Sequence, residues 1–128
     1  MIFAAGQVWS FAETEDHPQL IVTIGCIDTA GDLGADPSNC AVLSVSMTPS
    51  EEARKLDWPQ VEHAPIAETA FNSDNTAELV LDGVSSPEGF REGYTTWRTA
   101  FDAGNAGVFS LAPPDAYAAI LQVYAEKG

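Results

Sequence analysis

Polar and apolar residues alternate in "GQVWSFAE", setting Val8 and Ser10 on one side of an extended chain and Trp9 and Phe11 on the other. That period of two predicts a first strand opened by Gly6, after which "EDHP" turns the chain. "QLIVTIGCID" and "CAVLSVSMT" are rich in branched and small residues and carry loop signals at both ends. They predict two long strands at the centre of an antiparallel sheet, with Gly25 as a bulge or a point of close packing.

The pattern changes at "TPSEEARKL". Thr48 is placed to cap a helix, Pro49 to occupy its first position and Glu51 to close a capping box. Pro59 in "DWP" ends that helix. Pro65 in "HAPIAETAF" is placed to open another, running to about Ser73. "TAELVLDG" fits either a continuation of that helix to Gly83 or a short strand, and the reading leans towards helix. Tyr94, Trp97 and Phe101, at i, i+3 and i+7 with Ala100 beside them, form the apolar stripe of a helix that Gly104 stops. "AGVFSLA" resumes strand character around Val108 and Phe109. "PPDAYAAILQVYAEK" predicts a final helix with Asp115 in its first turn, a buried stripe of Tyr117, Ile120, Leu121 and Tyr124, and Lys127 at its negative end.

The predicted order is β-β-β-α-α-α-β-α. It fits an α+β domain, a sheet of about four antiparallel strands with three to four helices packed on one face. The 128 residues are enough for one hydrophobic core, and no repeat or linker divides them, so residues 1–128 read as a single domain.

Charge alters the picture more than bulk hydrophobicity, which at 45% is ordinary. Lys and Arg number 5 against 19 Asp and Glu, a net charge of -14. Charged residues total only 19%, so scarcity of cations creates the imbalance, and the acids are scattered rather than gathered into a tail. Nucleic acid and anionic membranes, which require a basic patch, are excluded as partners. A basic protein partner is permitted, although a solvated acidic surface accounts for the same composition. "MIFAAGQVWSF" has no basic start and only a short apolar stretch, so no secretory signal is expected and a cytoplasmic location is.

Candidate chemistry is sparse. His17 in "EDHP" reads as a turn residue. His63 in "EHAPI" fits a helix cap or a general base steered by Glu62 or Glu68. Cys26 attacking as a nucleophile with His63 as its base is the sharpest catalytic arrangement, weakened by the mid-strand position of Cys26. Cys26 and Cys40 fall opposite each other if their segments pair about residue 33, which makes a cross-strand disulfide conceivable, although two free thiols suit a reducing compartment better. Asp28, Asp32 and Asp36 recur every four residues in a Gly-rich loop and are candidate metal ligands, but they lack the EF-hand pattern and read more simply as solvated acids. Arg98 fits an anion anchor or a local ion pair with Asp102. No phosphate-cradling loop, nucleophile elbow or zinc ligand set occurs, and no cofactor is expected. Trp9 and Trp97 carry the periodicity of core residues, leaving Trp58 in "DWP" as the aromatic on display and a candidate binding residue.

Gly6, Trp9, His63, Pro65, Trp97, Phe101, Gly104, Gly107 and Phe109, within "GQVWSF", "HAPI" and "GYTTWRTAFDAGNAGVFSL", resemble the pattern of a group of small uncharacterised bacterial proteins. The resemblance implies a stand-alone bacterial domain and no activity. Two functional expectations remain. One is a non-catalytic domain binding another protein, with a basic one permitted by the charge, as immunity proteins and antitoxins do. The other is a small enzyme or ligand-binding protein centred on His63.

Overall fold

The computed structural model describes residues 3–15, 18–29, 31–34, 40–72 and 77–127, with side chains described as far as Val123. Its strands are β1 (Val8–Phe11), β2 (Leu20–Asp28), β3 (Val42–Pro49), β4 (Val61–Ala67) and β5 (Glu78–Leu81). Its helices are α1 (Glu51–Lys55), α2 (Glu68–Phe71), α3 (Phe90–Asp102) and α4 (Pro113–Lys127). The strands form one antiparallel sheet in the order β4-β3-β2-β1-β5. The class is α+β, with five strands where about four were expected.

Two segments read as helix are strands. In β4, Phe109 N–H donates to the Pro65 carbonyl at 2.9 Å and Ala67 N–H donates to the Phe109 carbonyl at 2.9 Å. The backbone of residue 65 therefore faces away from β3, where a missing proline N–H breaks no ladder bond. A proline that suits the start of a helix suits this outer position equally well. Only one turn of helix, α2, follows before Asn72. "TAELVLDG" likewise gives β5, which pairs with the outer edge of β1. By contrast, the strand expected around Val108 reduces to one parallel bridge between Phe109 and Ile66.

The cap of α1 is displaced. Ser50, not Thr48, accepts the Ala53 N–H at 3.3 Å, and Thr48 and Pro49 belong to the end of β3. The end of α3 follows the glycine signal. Gly104 takes φ +80°, its N–H reaches the Phe101 carbonyl at 3.0 Å, and Asn105 N–H reaches Ala100 at 2.8 Å. Those two bonds are the Schellman pattern.

The helices divide between the two sheet faces instead of sharing one. Leu20, Val22, Ile24, Leu43, Val45, Met47, Ala64 and Ile66 form one apolar face, closed by Phe71 of α2 and by Ala116 and Tyr117 of α4. Trp9 and Phe11 extend it, with their rings and that of Phe3 around Phe71 at 5.1–5.9 Å. The Trp9 indole N–H donates to the Gln7 amide oxygen at 3.2 Å, so the buried ring leaves no polar atom unpaired. The second face carries Cys26, Asp28, Ser44, Ser46, His63 and Pro65, and α3 covers it. No helix among the described residues is long and apolar enough to cross a membrane.

Candidate functional site

The layer between α3 and the sheet holds most of the chain's candidate chemistry. Two glycines permit the close approach. A side-chain carbon at Gly25, where β2 bulges, would collide with the Phe90 ring, and one at Gly93 would stand 2.8 Å from the His63 Cβ. With helix and sheet in this contact, the aromatic stripe of α3 folds around the imidazole. The His63 ring centroid lies 5.7 Å from Phe90, 5.8 Å from Tyr94 and 5.5 Å from Trp97. Its Nε2 is buried and unpaired, as are the Oγ atoms of Ser44 and Ser46. Burial holds the His63 pKa down at about 4, so the ring is neutral at neutral pH. His63 is therefore neither a helix cap nor a charged group; it lies mid-strand in an aromatic enclosure.

At the other end of the layer Arg98 gathers a polar network. Its Nη1 donates to Asp28 Oδ1 at 3.1 Å and to the Tyr94 hydroxyl oxygen at 3.3 Å, and its Nη2 donates to the Asp32 carbonyl at 2.8 Å. The Tyr94 hydroxyl donates to Asp28 Oδ2 at 2.9 Å. Burial raises the Tyr94 pKa to about 12, keeping the phenol protonated. The expected local pair with Asp102 also forms, with Arg98 Nε donating at 3.2 Å. Arg98 thus ties α3 to the end of β2 and to the loop beyond it. Asp28 to Arg98 spans seventy residues, a link no local pattern announces. The available hints were an acid ending an apolar strand, and Tyr94 and Arg98 one helical turn apart.

Cys26 and His63 share this face without forming a dyad. Cys26 pairs with Ser44, and Ser44 with Pro65, so β3 separates the two residues. Two inter-strand spacings amount to roughly 9–10 Å. The titration of both groups is displaced away from an ion pair: burial and then Asp28 raise the Cys26 thiol, while burial lowers His63. A thiolate–imidazolium pair requires the opposite displacements. They also line different hollows. One of about 690 Å³ contains Cys26 with Gly25, Ser86, Phe90, Arg91 and Tyr94, and one of about 530 Å³ contains His63 with Glu62, Glu92, Gly93 and Trp97.

The other candidates are dispersed. Cys40 does not oppose Cys26; both thiols are free, and Cys40 accepts a long contact from the Thr69 hydroxyl at 3.8 Å. The strand register, with its bulge at Gly25, sets Cys26 opposite Ser44 instead. Asp28 is engaged with Arg98 and Tyr94. Asp32 accepts the Thr29 N–H at 3.0 Å, which lowers its pKa, and no metal-binding cluster occurs among the described residues. Asp36 and His17 lie outside the described residues. Trp58 is half-buried, its ring stacked on Tyr117 at 6.1 Å, while the Tyr117 hydroxyl donates to the Pro59 carbonyl at 2.6 Å. The ring joins the core periphery more than it is displayed.

Comparison with protein-family models, with curated proteins and with solved structures returned no match.

Proposed function

We propose that this protein is a non-catalytic binding domain that docks a basic protein, in the manner of immunity proteins and antitoxins. The observation carrying this reading is the surface itself, which combines a net charge of -14 with large apolar side chains left in solvent: Leu56, Leu79, Val80, Leu81, Leu111 and Val123. Apolar contacts supply affinity, and the surrounding acids steer a basic partner and reject acidic ones. The separation and opposed titration of Cys26 and His63 support this reading over a Cys26–His63 catalytic pair.

The test is affinity capture from cell extract at low and moderate salt, followed by native mass measurement of the purified pair. A basic partner, retained in fixed stoichiometry and weakened by salt, is the expected result. An empty capture at both salts sinks the reading.

A second reading, a small-ligand site at His63, draws on the unpaired Nε2 beside the 530 Å³ hollow. It expects His63 ring signals to shift in NMR titrations with small hydrogen-bond donors such as imidazolium or guanidinium. Shifts no larger than those of an exposed control residue would remove it.

A further inference from the structure

β5 is the last strand on its side of the sheet, and among the described residues nothing pairs with its outer edge. Leu79, Val80 and Leu81 remain 50%, 54% and 58% exposed, the only consecutive run among the exposed large apolar residues of the described part of the chain. The opposite edge of the same sheet is treated differently, since β4 is bridged by Phe109. Edge strands are ordinarily guarded by lysine, proline or inward-facing charge, because their unpaired backbone groups template another strand. β5 has neither lysine nor proline, and is guarded only by its shortness, by Glu78 at its start and by a bulge. Its bulge against β1 places Val80 as the extra residue between Leu79, opposite Trp9, and Leu81, opposite Val8. The pairing still leaves the outer edge open.

Charge identifies the occupant. Glu78 and Asp82 flank the apolar run, and no Lys or Arg occurs between Lys55 and Arg91. A second copy fits poorly. Antiparallel pairing centred on Val80 would set Glu78 of each chain opposite Asp82 of the other, and directly opposed like charges destabilise a strand pair. The net charge of -14 on each chain adds to that repulsion. We propose that β5 accepts, by strand addition, an extended segment of another protein in which a short apolar run is flanked at both ends by Lys or Arg. Backbone hydrogen bonds to the open edge hold the segment, Leu79 on the Trp9 face and Leu81 on the Val8 face take the side chains of its apolar run, and Glu78 and Asp82 take the flanking cations. This deepens the binding-domain reading by naming a surface and a partner chemistry, and it rests on that reading.

The probe is a short synthetic peptide of three valines flanked by lysines, titrated into the full chain at low and moderate salt. Amide hydrogen exchange is followed at residues 78–81. The expected result is saturable, salt-weakened binding with slowed exchange in β5. Glu78→Lys with Asp82→Lys, which leaves the backbone edge intact, should weaken the peptide roughly tenfold or more and create affinity for the same valine run flanked by glutamates. Val80→Pro, which blunts the edge, should abolish binding of both peptides. Should Val80→Pro unfold β5, the charge-reversed pair still decides the matter.

Equal binding by wild type and both variants overturns the β5 assignment while leaving the basic-partner reading intact. So does failure of the peptide to bind when extract capture succeeds. Concentration-dependent dimerisation that protects β5 without peptide overturns the choice of occupant in favour of a second copy. Peptide binding at β5 combined with an empty extract capture supports the edge and counts against the wider reading alone.

Discussion

Along β3, Leu43, Val45 and Met47 enter the face beneath α2 and α4, whereas Ser44 and Ser46 enter the face beneath α3. All five are fully buried, yet the first set belongs to the apolar cluster and the second leaves two hydroxyls without partners on the face that also carries the unpaired His63 nitrogen. The two faces are closed by different means. The apolar face is stabilised by burial itself, at about 25 cal/mol per Å². The mixed face is held by an aromatic stripe, two glycines that allow contact, and Arg98 clamping the helix to Asp28. Unpaired buried polar groups work against it.

The difference can be broken most severely from the apolar side. Leu43→Ala should cost about 2–5 kcal/mol in urea unfolding, because the sheet beneath Phe71 and Tyr117 cannot collapse around the missing carbons. Arg98→Leu should cost about 1–3 kcal/mol, since Asp28 then keeps only the Tyr94 hydroxyl. Adding Asp28→Asn should recover part of that loss. Simple additivity of the two changes would show that the clamp is not a unit.

The pH dependence of the mixed face follows from His63. The folded ring titrates at about 4 against an ordinary 6.5, so the unfolded chain binds the extra proton first. Stability contributed by the neutral ring is complete above pH 6.5 and is lost as pH falls towards 4. The slope is moderated because the ring is only half-buried. Chemical unfolding midpoints measured between pH 7 and pH 4 should fall less steeply in His63→Phe than in wild type. Parallel curves would place the acid sensitivity elsewhere.

The smallest effect sharpens the comparison best. Ser44→Ala, one residue from Leu43, should be neutral or stabilising by up to about 1 kcal/mol, because it removes a hydroxyl that has lost water and gained nothing. A loss approaching that of Leu43→Ala would mean that the hydroxyl has a partner and that the two faces are more alike than their contacts indicate.

The long central strands, the aromatic stripe on α3 and its glycine stop were legible because local periodicity and local backbone preference act on the same residues. β4 was not. Pro65 satisfies the first turn of a helix and the outer edge of a strand equally, and only Phe109, more than forty residues later, distinguishes them. "ELVL" was ambiguous for a similar reason: four residues carry too little period to separate helix from strand, and the open edge of β1 made the choice. At the site, the residue types were visible one by one. Their grouping was not, because Cys26, Asp28, His63 and Arg98 come from β2, β4 and α3.

By itself the chain's order of residues determined the α+β class, the acidity, the scarcity of cations, the stop of α3 at Gly104 and the start of α4 at Pro113. These depend on composition and on neighbours within a turn or two. Tertiary structure alone decided that the helices split between two faces, that β3 stands between the thiol and the imidazole, that Arg98 reaches Asp28, and that β5 is left with a bare edge. Each of those is a matter of which distant segments share a surface, and pairing energies between strands and across layers settle it only when the whole sheet assembles.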